Sequence, residues 1–237
     1  MIEPENGPEV RKDAAKCAQT DAREDAAGFV LAGGQSSRMG ADKALIRLAG
    51  QPLIAYALGI LHQAGLDASI AGSRSSLSAF APVIQDAHPD RGPLAGICSA
   101  LVSTSARHAV FLPIDLPLLP ASLVSFLLHH ARVAGGAVTV PSVNGYAQTF
   151  PAVVDRVALP ALEASLKGGE RGCFSAFKAA AAQSRQPLSV LPVELLVQSG
   201  QVAHPAGLPA VFWFKNVNTP EDLGRAEAIL ANSHRVS

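Results

Sequence analysis

The sequence predicts an α/β fold of three layers, a parallel-dominated sheet with helices on both faces. Three observations carry that prediction. Several short runs are apolar throughout rather than alternating, the pattern of strands buried on both faces. Between them lie stretches of helical spacing, several opened by proline or followed by glycine. The two kinds of segment alternate along the chain, as βαβ units do. A chain of 237 residues that is 49% hydrophobic and 16% charged can fill the core such a fold needs.

In chain order, residues 27–32 form a buried strand that runs into the glycine pair Gly33-Gly34. Residues 51–64 have helix-spaced apolar positions, with Pro52 in the first turn and Gly65 past the end. Residues 67–71 and 82–85 read as short strands, the latter stopped by Asp86, and 93–102 as a helix entered through Gly92-Pro93. The run 108–114 is an almost wholly apolar strand closed by Asp115. A helix over 120–133, a strand over 136–140 and a further strand over 148–154, interrupted by Pro151, follow. Residues 160–166 and 173–182 read as helices, 188–193 and 211–214 as late strands, and 220–230 as a closing helix. The segment 195–209, with Gly200, Pro205, Gly207 and Pro209, reads as a loop-like insertion. This organisation predicts an N-terminal extension over 1–26 without a packed core, one domain over 27–231, and a short tail over 232–237.

Net charge is zero, but it is a sum of unlike parts. Residues 1–26 hold seven acids and four bases, and the rest hold fifteen bases and twelve acids. An acidic segment poor in large apolar residues predicts a solvated, disordered or loosely helical extension. A mildly basic remainder suits an anionic small ligand and argues against a general nucleic-acid binder. No apolar run approaches the ~18 residues of a membrane span, and Met1-Ile2-Glu3-Pro4-Glu5 does not resemble a secretory leader. Cys17, Cys98 and Cys173 are odd in number and lack metal-site spacing. These features predict a cytoplasmic protein with no membrane or nucleic-acid partner.

The chemistry concentrates in Leu31-Ala32-Gly33-Gly34-Gln35-Ser36-Ser37-Arg38-Met39-Gly40-Ala41-Asp42-Lys43. This loop follows the first strand, where open α/β sheets bind ligands. Gly33 and Gly34 let backbone N–H groups approach a phosphate, and Arg38 and Lys43 add positive charge. A strand followed by Gly-Gly is equally a tight turn, and it is Arg38, Gly40 and Lys43 at this spacing that favour phosphate. The loop is neither a Walker A sequence nor GxGxxG.

With Asp86, Gly92-Pro93-Leu94-Ala95-Gly96, Asp115 within Pro113–Pro117, and Asn216-Val217-Asn218-Thr219-Pro220, the chain resembles the molybdenum-cofactor guanylyltransferases, the MobA family of nucleotidyltransferases. The motifs fall in family order over about residues 28–230. The resemblance implies a Rossmann-like nucleotidyltransferase fold with a mostly parallel mixed sheet. It also implies transfer of GMP from GTP to the phosphate of molybdopterin, with Mg²⁺ as cofactor. It places nucleotide contacts on Leu31, Ala32, Gly33 and Gly34, charge neutralisation on Arg38 and Lys43, and the metal on Asp115. It further implies nucleotide or acceptor contacts at Asp86, Gly92, Gly96 and Asn218, and an arginine near the acceptor at Arg171. Physical alternatives compete at several positions: Asp115 as a helix cap, Asp86 as a turn residue, Asn218 as part of a helix start, Gly92-Pro93 as a turn into a helix, and Lys43 and Arg171 as surface side chains.

Two departures from the family pattern stand out. Ala71 replaces an asparagine after the second strand, and Gln148-Thr149 replaces a His-Pro. The alternatives are a cytidylyltransferase or another enzyme of the same scaffold with a different nucleotide or acceptor, and a non-catalytic nucleotide-binding adaptor. Partners implied are GTP, molybdopterin, and proteins of cofactor biosynthesis or molybdoenzymes.

Overall fold

The computed structural model describes residues 25–32, 42–89 and 91–233. The strands are β1 (Ala26–Leu31), β2 (Arg47–Leu48), β3 (Gln51–Pro52), β4 (Ala68–Ala71), β5 (Val83–Ile84), β6 (His108–Pro113), β7 (Val138–Val143), β8 (Tyr146–Ala147), β9 (Ala152–Asp155) and β10 (Leu188–Pro192). The helices are α1 (Leu53–Gln63), α2 (Pro93–Ser103), α3 (Ala121–Ala134), α4 (Leu159–Lys167), α5 (Cys173–Ser184), α6 (Val193–Gln198), α7 (Ala210–Trp213) and α8 (Pro220–Ser233).

The main sheet has the order β10–β7–β9–β6–β1–β4–β5, with β8 paired to the end of β7. β1 lies parallel to both β4 and β6, and β10 lies parallel to β7. β9 runs antiparallel between β6 and β7, so the sheet is mixed and mostly parallel. From β1 the chain moves outward on one side to β4 and β5, then returns to the other side of β1 at β6. The crevice at the carboxyl ends of β1, β4 and β6 is therefore a switch point, where open α/β sheets take ligands.

Alternate residues of the central strands serve two cores. Val30, Ile70, Val110 and Leu112 face α1 and α3, with Trp213 and Val217 in the same cluster. Phe29, Leu31, Ala71, Ala109 and Phe111 face α2, α4 and α5. The Phe29 and Phe111 rings stack at 5.5 Å between centroids, a geometry that adds to plain burial. Burial on both faces is why these strands read as continuous apolar runs. Gly28 is a packing requirement: a Cβ there would stand 3.2 Å from Leu61 Cδ1 and 3.3 Å from Leu66 Cβ.

Several expectations change. The run 211–214 is not a strand, because Ala210–Trp213 forms the short helix α7 after Pro209. Its Trp213 is buried and donates its indole N–H to Leu208 O at 2.8 Å. Four apolar residues fit either state by periodicity, and tertiary burial of the tryptophan decides. Nor is 195–209 loop throughout. Helix α6 occupies its first part, and Val202 and Leu208 are buried, so the segment packs against the body. The strand expected over 148–154 shortens to Ala152–Asp155. At the ends, β1 begins at Ala26 and α8 reaches Ser233. The extension expected over 1–26 otherwise lies outside the described residues.

Candidate active site

Three loops meet at the crevice. Asp115 follows the end of β6, its side chain 24% exposed. Lys43 opens a 3₁₀ turn, Lys43–Leu45, capped by Asp42, whose Oδ1 accepts from Ala44 N at 3.1 Å. The third loop holds Asn216 to Asn218. Val217 N donates to the Asp115 backbone O at 2.9 Å, and Val217 itself is buried. Beyond it Thr219 and Asp222 cap α8 reciprocally. Asp222 N donates to Thr219 Oγ1 at 3.2 Å, and Asp222 Oδ2 accepts from Asn218 N and Thr219 N. These bonds, with the Thr219 hydroxyl first, hold the Asp222 carboxyl below its usual range. Asn218 is thereby fixed by its backbone, which leaves its side-chain carbonyl for the crevice.

The Lys43 ammonium joins the three. It lies 3.1 Å from Asp115 Oδ2 and donates to Asn218 Oδ1. Lys43 and Asn218 are 175 residues apart in sequence. The lysine side chain is only 14% exposed, so this is a partly desolvated charge pair rather than a surface one. A carboxylate and an amide carbonyl around one point are hard oxygen donors of the kind Mg²⁺ accepts, with water and phosphate completing the shell. The donor set therefore fits a divalent ion.

The pair borders a cleft of about 390 Å³, within the range of small-molecule sites. Leu31, Phe150 and Phe214 give it apolar walls; Lys43, Asp115, Gln148, Thr149 and Asn216 give it polar ones.

The expected residues are divided by this geometry. Lys43, Asp115 and Asn218 converge, and Leu31 lines the cleft with Lys43 and Asp115. The Asp115 carboxylate is not a helix cap: Pro120 precedes α3, with no side-chain cap bond. Ala32 is buried at the mouth of the loop, its N–H donating to Ala71 O at 3.2 Å. Gly33, Gly34 and Arg38 lie outside the described residues. Asp86 does not line the cleft. Its Oδ1 accepts from His88 N at 2.9 Å and lies 3.4 Å from Ser99 Oγ, the turn-forming alternative. Gly92 enters α2 with φ +77°, a conformation that favours glycine. Gly96 is buried against the sheet, with Leu31 Cδ2 and Ala71 Cβ near the position of a Cβ. At 3.8 and 3.9 Å these are ordinary van der Waals distances. Arg171 is exposed, its backbone N–H on Glu170 Oε1.

Phe150, Phe214 and Asn216 line the cleft but were not among the candidates. Asn216 stands in the same Asn-Val-Asn motif as Asn218, two positions away, and that spacing was a usable signal. Phe214 falls in a run that reads as a strand from sequence, and the end of helix α7 turns it toward the cleft instead. Gln148 and Thr149, noted as departures, do line the cleft.

Residues 28–187 match the model of the MobA-like NTP transferase domain. The chain belongs to the MobA-like NTP transferase family. Two curated relatives of this MobA-like chain match along most of their length. The "Probable molybdenum cofactor guanylyltransferase" of Haloferax mediterranei is 34% identical over 206 residues, covering 83% of this chain and 90% of its own. The molybdenum cofactor guanylyltransferase of Serratia proteamaculans is 32% identical over 205 residues, covering 84% and 92%. Among solved structures, molybdopterin-guanine dinucleotide biosynthesis protein A of Archaeoglobus fulgidus superposes with a TM-score of 0.69 at 26% identity, covering 86% of this MobA-like chain and 98% of that one.

Proposed function

We propose that this protein transfers GMP from GTP to the terminal phosphate of molybdopterin, giving the guanine dinucleotide cofactor and pyrophosphate. Membership of the family and relatives named for that activity support the reading. The observation that carries it is the meeting of Lys43, Asp115 and Asn218 at the switch point of the sheet. The same reading takes residues 27–231 as one nucleotidyltransferase domain. No helix among the described residues is long and apolar enough to cross a membrane, and a cytoplasmic place is part of the proposal.

In the transfer, an oxygen of the acceptor phosphate attacks the α-phosphorus of GTP, and the bond to the β-phosphate oxygen breaks. The attacking phosphate is already anionic near neutral pH, so the site needs no general base. Its task is positioning and charge neutralisation. A bound Mg²⁺ would supply charge stabilisation to the phosphate oxygens. Asp115 and Asn218 would hold it through the oxygens that Lys43 now engages. Lys43, displaced from them, would donate to the triphosphate, with Arg38 and the amides of Gly33 and Gly34 alongside. Leu31 and Ala32 would border the base. Gly92, at the opening of α2, would let the backbone approach the nucleotide. Gln148, Thr149 and Asn216 would face the acceptor, with Phe150 and Phe214 excluding water.

Pyrophosphate release measured with each nucleoside triphosphate, molybdopterin and Mg²⁺ tests the proposal. Turnover is expected with GTP. A preference for CTP would overturn the guanylyl assignment, and tight nucleotide binding without any turnover would favour the adaptor.

A further inference from the structure

We infer that Arg74 is a positioning residue for Lys43, acting through Asp42. The inference rests on the proposed role of Lys43 and adds a residue that neither the motifs nor the cleft lining points to. Asp42 stands one residue before Lys43 and caps the turn that Lys43 opens. Its Oδ1 has two tasks: it accepts from Ala44 N, capping the Lys43–Leu45 turn, and it takes the Nη1 donor of Arg74. The two side chains are 22% and 29% exposed, so the pair is more shielded than a surface ion pair. Arg74 itself sits on a braced segment. Its N–H donates to Gly72 O at 2.8 Å, its carbonyl accepts from Leu77 N at 3.0 Å, and Gly72 N donates to Ile84 O at 3.1 Å.

These bonds form a strut from the loop after β4 to the loop after β1. Asp42 fixes the origin of the turn, and the turn aims the Lys43 ammonium at Asp115 and Asn218. A flexible lysine stem left to itself would sample many rotamers, whereas a capped turn with a held carboxylate narrows where the stem begins. Loss of the guanidinium leaves Asp42 its capping bond but removes the charge that fixes its orientation.

The test uses the full chain and two readouts. One is steady-state GTP turnover with molybdopterin and Mg²⁺. The other is the rate at which acetic anhydride acetylates the Lys43 amine in nucleotide-free protein, followed by mass spectrometry. In Arg74→Gln, kcat is expected to fall roughly 30- to 100-fold, the scale of a misplaced catalytic group. The KM for GTP should stay within about threefold, since the lost effect belongs to the transition state. Acetylation of Lys43 should speed up severalfold. Arg74→Lys should recover most of both, and Asp42→Asn should move both in the direction of Arg74→Gln. If Arg74→Gln proves poorly folded by thermal melting, Arg74→Lys and Asp42→Asn carry the test alone. In a Lys43→Ala background, Arg74→Gln should cost almost nothing more, because residues acting as one unit are non-additive. Multiplying losses, a raised KM with unchanged kcat, or an unchanged acetylation rate would each overturn the inference. Absence of turnover in the parent protein would sink the proposed function, while the acetylation rate would still decide the role of Arg74.

Discussion

Strand β6 carries a charged cluster at each end, and the two clusters are built differently. At the carboxyl end, Asp115 meets Lys43 and Asn218 beside an open cleft, and its side chain keeps partial access to water. At the amino end, His108 opens the strand at 1% exposure, with its Nδ1 3.3 Å from Asp25 Oδ2 and its Nε2 3.9 Å from Asp155 Oδ2. There Asp155 is 4% exposed, accepts from Arg107 Nε and Val157 N at 2.9 Å each, and caps the turn after β9. Asp25 also lies 3.5 Å from Arg132 Nε. At the amino end only His108 and Asp155 are buried, while Arg107, Asp25 and Arg132 reach them from the surface, and together these groups tie β1, β6, β9 and α3 to one another. The carboxyl-end groups face space that a ligand can fill. Both clusters pair carboxylates with cations, so charge pairing alone does not mark a functional site; access to a cleft does.

The largest effect that separates the two ends is expected from Asp115→Ala. Turnover should fall by about 10³-fold, the scale of losing a metal-holding carboxylate. The melting temperature should hold within a few degrees. Retained turnover would move Asp115 from the functional cluster to the structural one. Asp155→Ala should do the reverse, costing about 2 kcal/mol of stability through a lost cap and the lost hydrogen bonds of a buried carboxylate. Chemical denaturation would measure that cost, and kcat should be unchanged in the folded fraction. A fall in kcat would show that the amino end is coupled to the site.

A smaller effect sharpens the carboxyl end. In Lys43→Met, nucleotide-free protein should bind Mn²⁺ about tenfold more tightly by calorimetry, because one unit charge near the metal oxygens is gone. Unchanged affinity would place the ion elsewhere. The smallest concerns pH. Burial pushes the His108 imidazole below its ordinary value, against the opposing pull of Asp25 and Asp155 and with Arg107 aiding the shift. Burial does the same to His204. The unfolded chain takes protons near pH ~6.5 while these folded imidazoles resist them, so stability is present above that pH and drains as pH falls below it. His108→Gln should flatten the decline in melting temperature between about pH 7.5 and 5.5. An unchanged slope would assign the pH dependence to other groups.

The contrast also explains what could be read from the chain beforehand. Asp115 was legible because a carboxylate closing an apolar strand is a local pattern, and β1 was legible because its residues are apolar throughout. The direction of β9 was not, since an apolar run has no sense, and neither was the helical state of Val211–Trp213. The meeting of Lys43 with Asn218 spans 175 residues; motif order suggested it, but only the return of the chain to β6 creates it. The Arg74–Asp42 strut left no signal, because Asp42 belongs to the loop motif without anything to name its partner, and an arginine after a strand is unremarkable in sequence. Asp86 and Gly96 sit in motifs that point to ligand; among the described residues Asp86 accepts from His88 N and Gly96 lies beside Leu31 and Ala71.

The reversed strand β9 has a consequence for how such a site can diverge. Because β9 enters the sheet at the end where β6 and β7 leave it, the whole excursion from Val143 through the Asn144-Gly145 turn to Phe150 projects over one rim of the cleft. The excursion is anchored at both ends: Asn144 N donates to Glu194 Oε1 at 2.7 Å, and the Phe150 ring meets Phe177 edge-on at 6.5 Å. Changes at residues 145–149 therefore act on one rim of the cleft, while the opposite rim is built on the parallel strands β1 and β6.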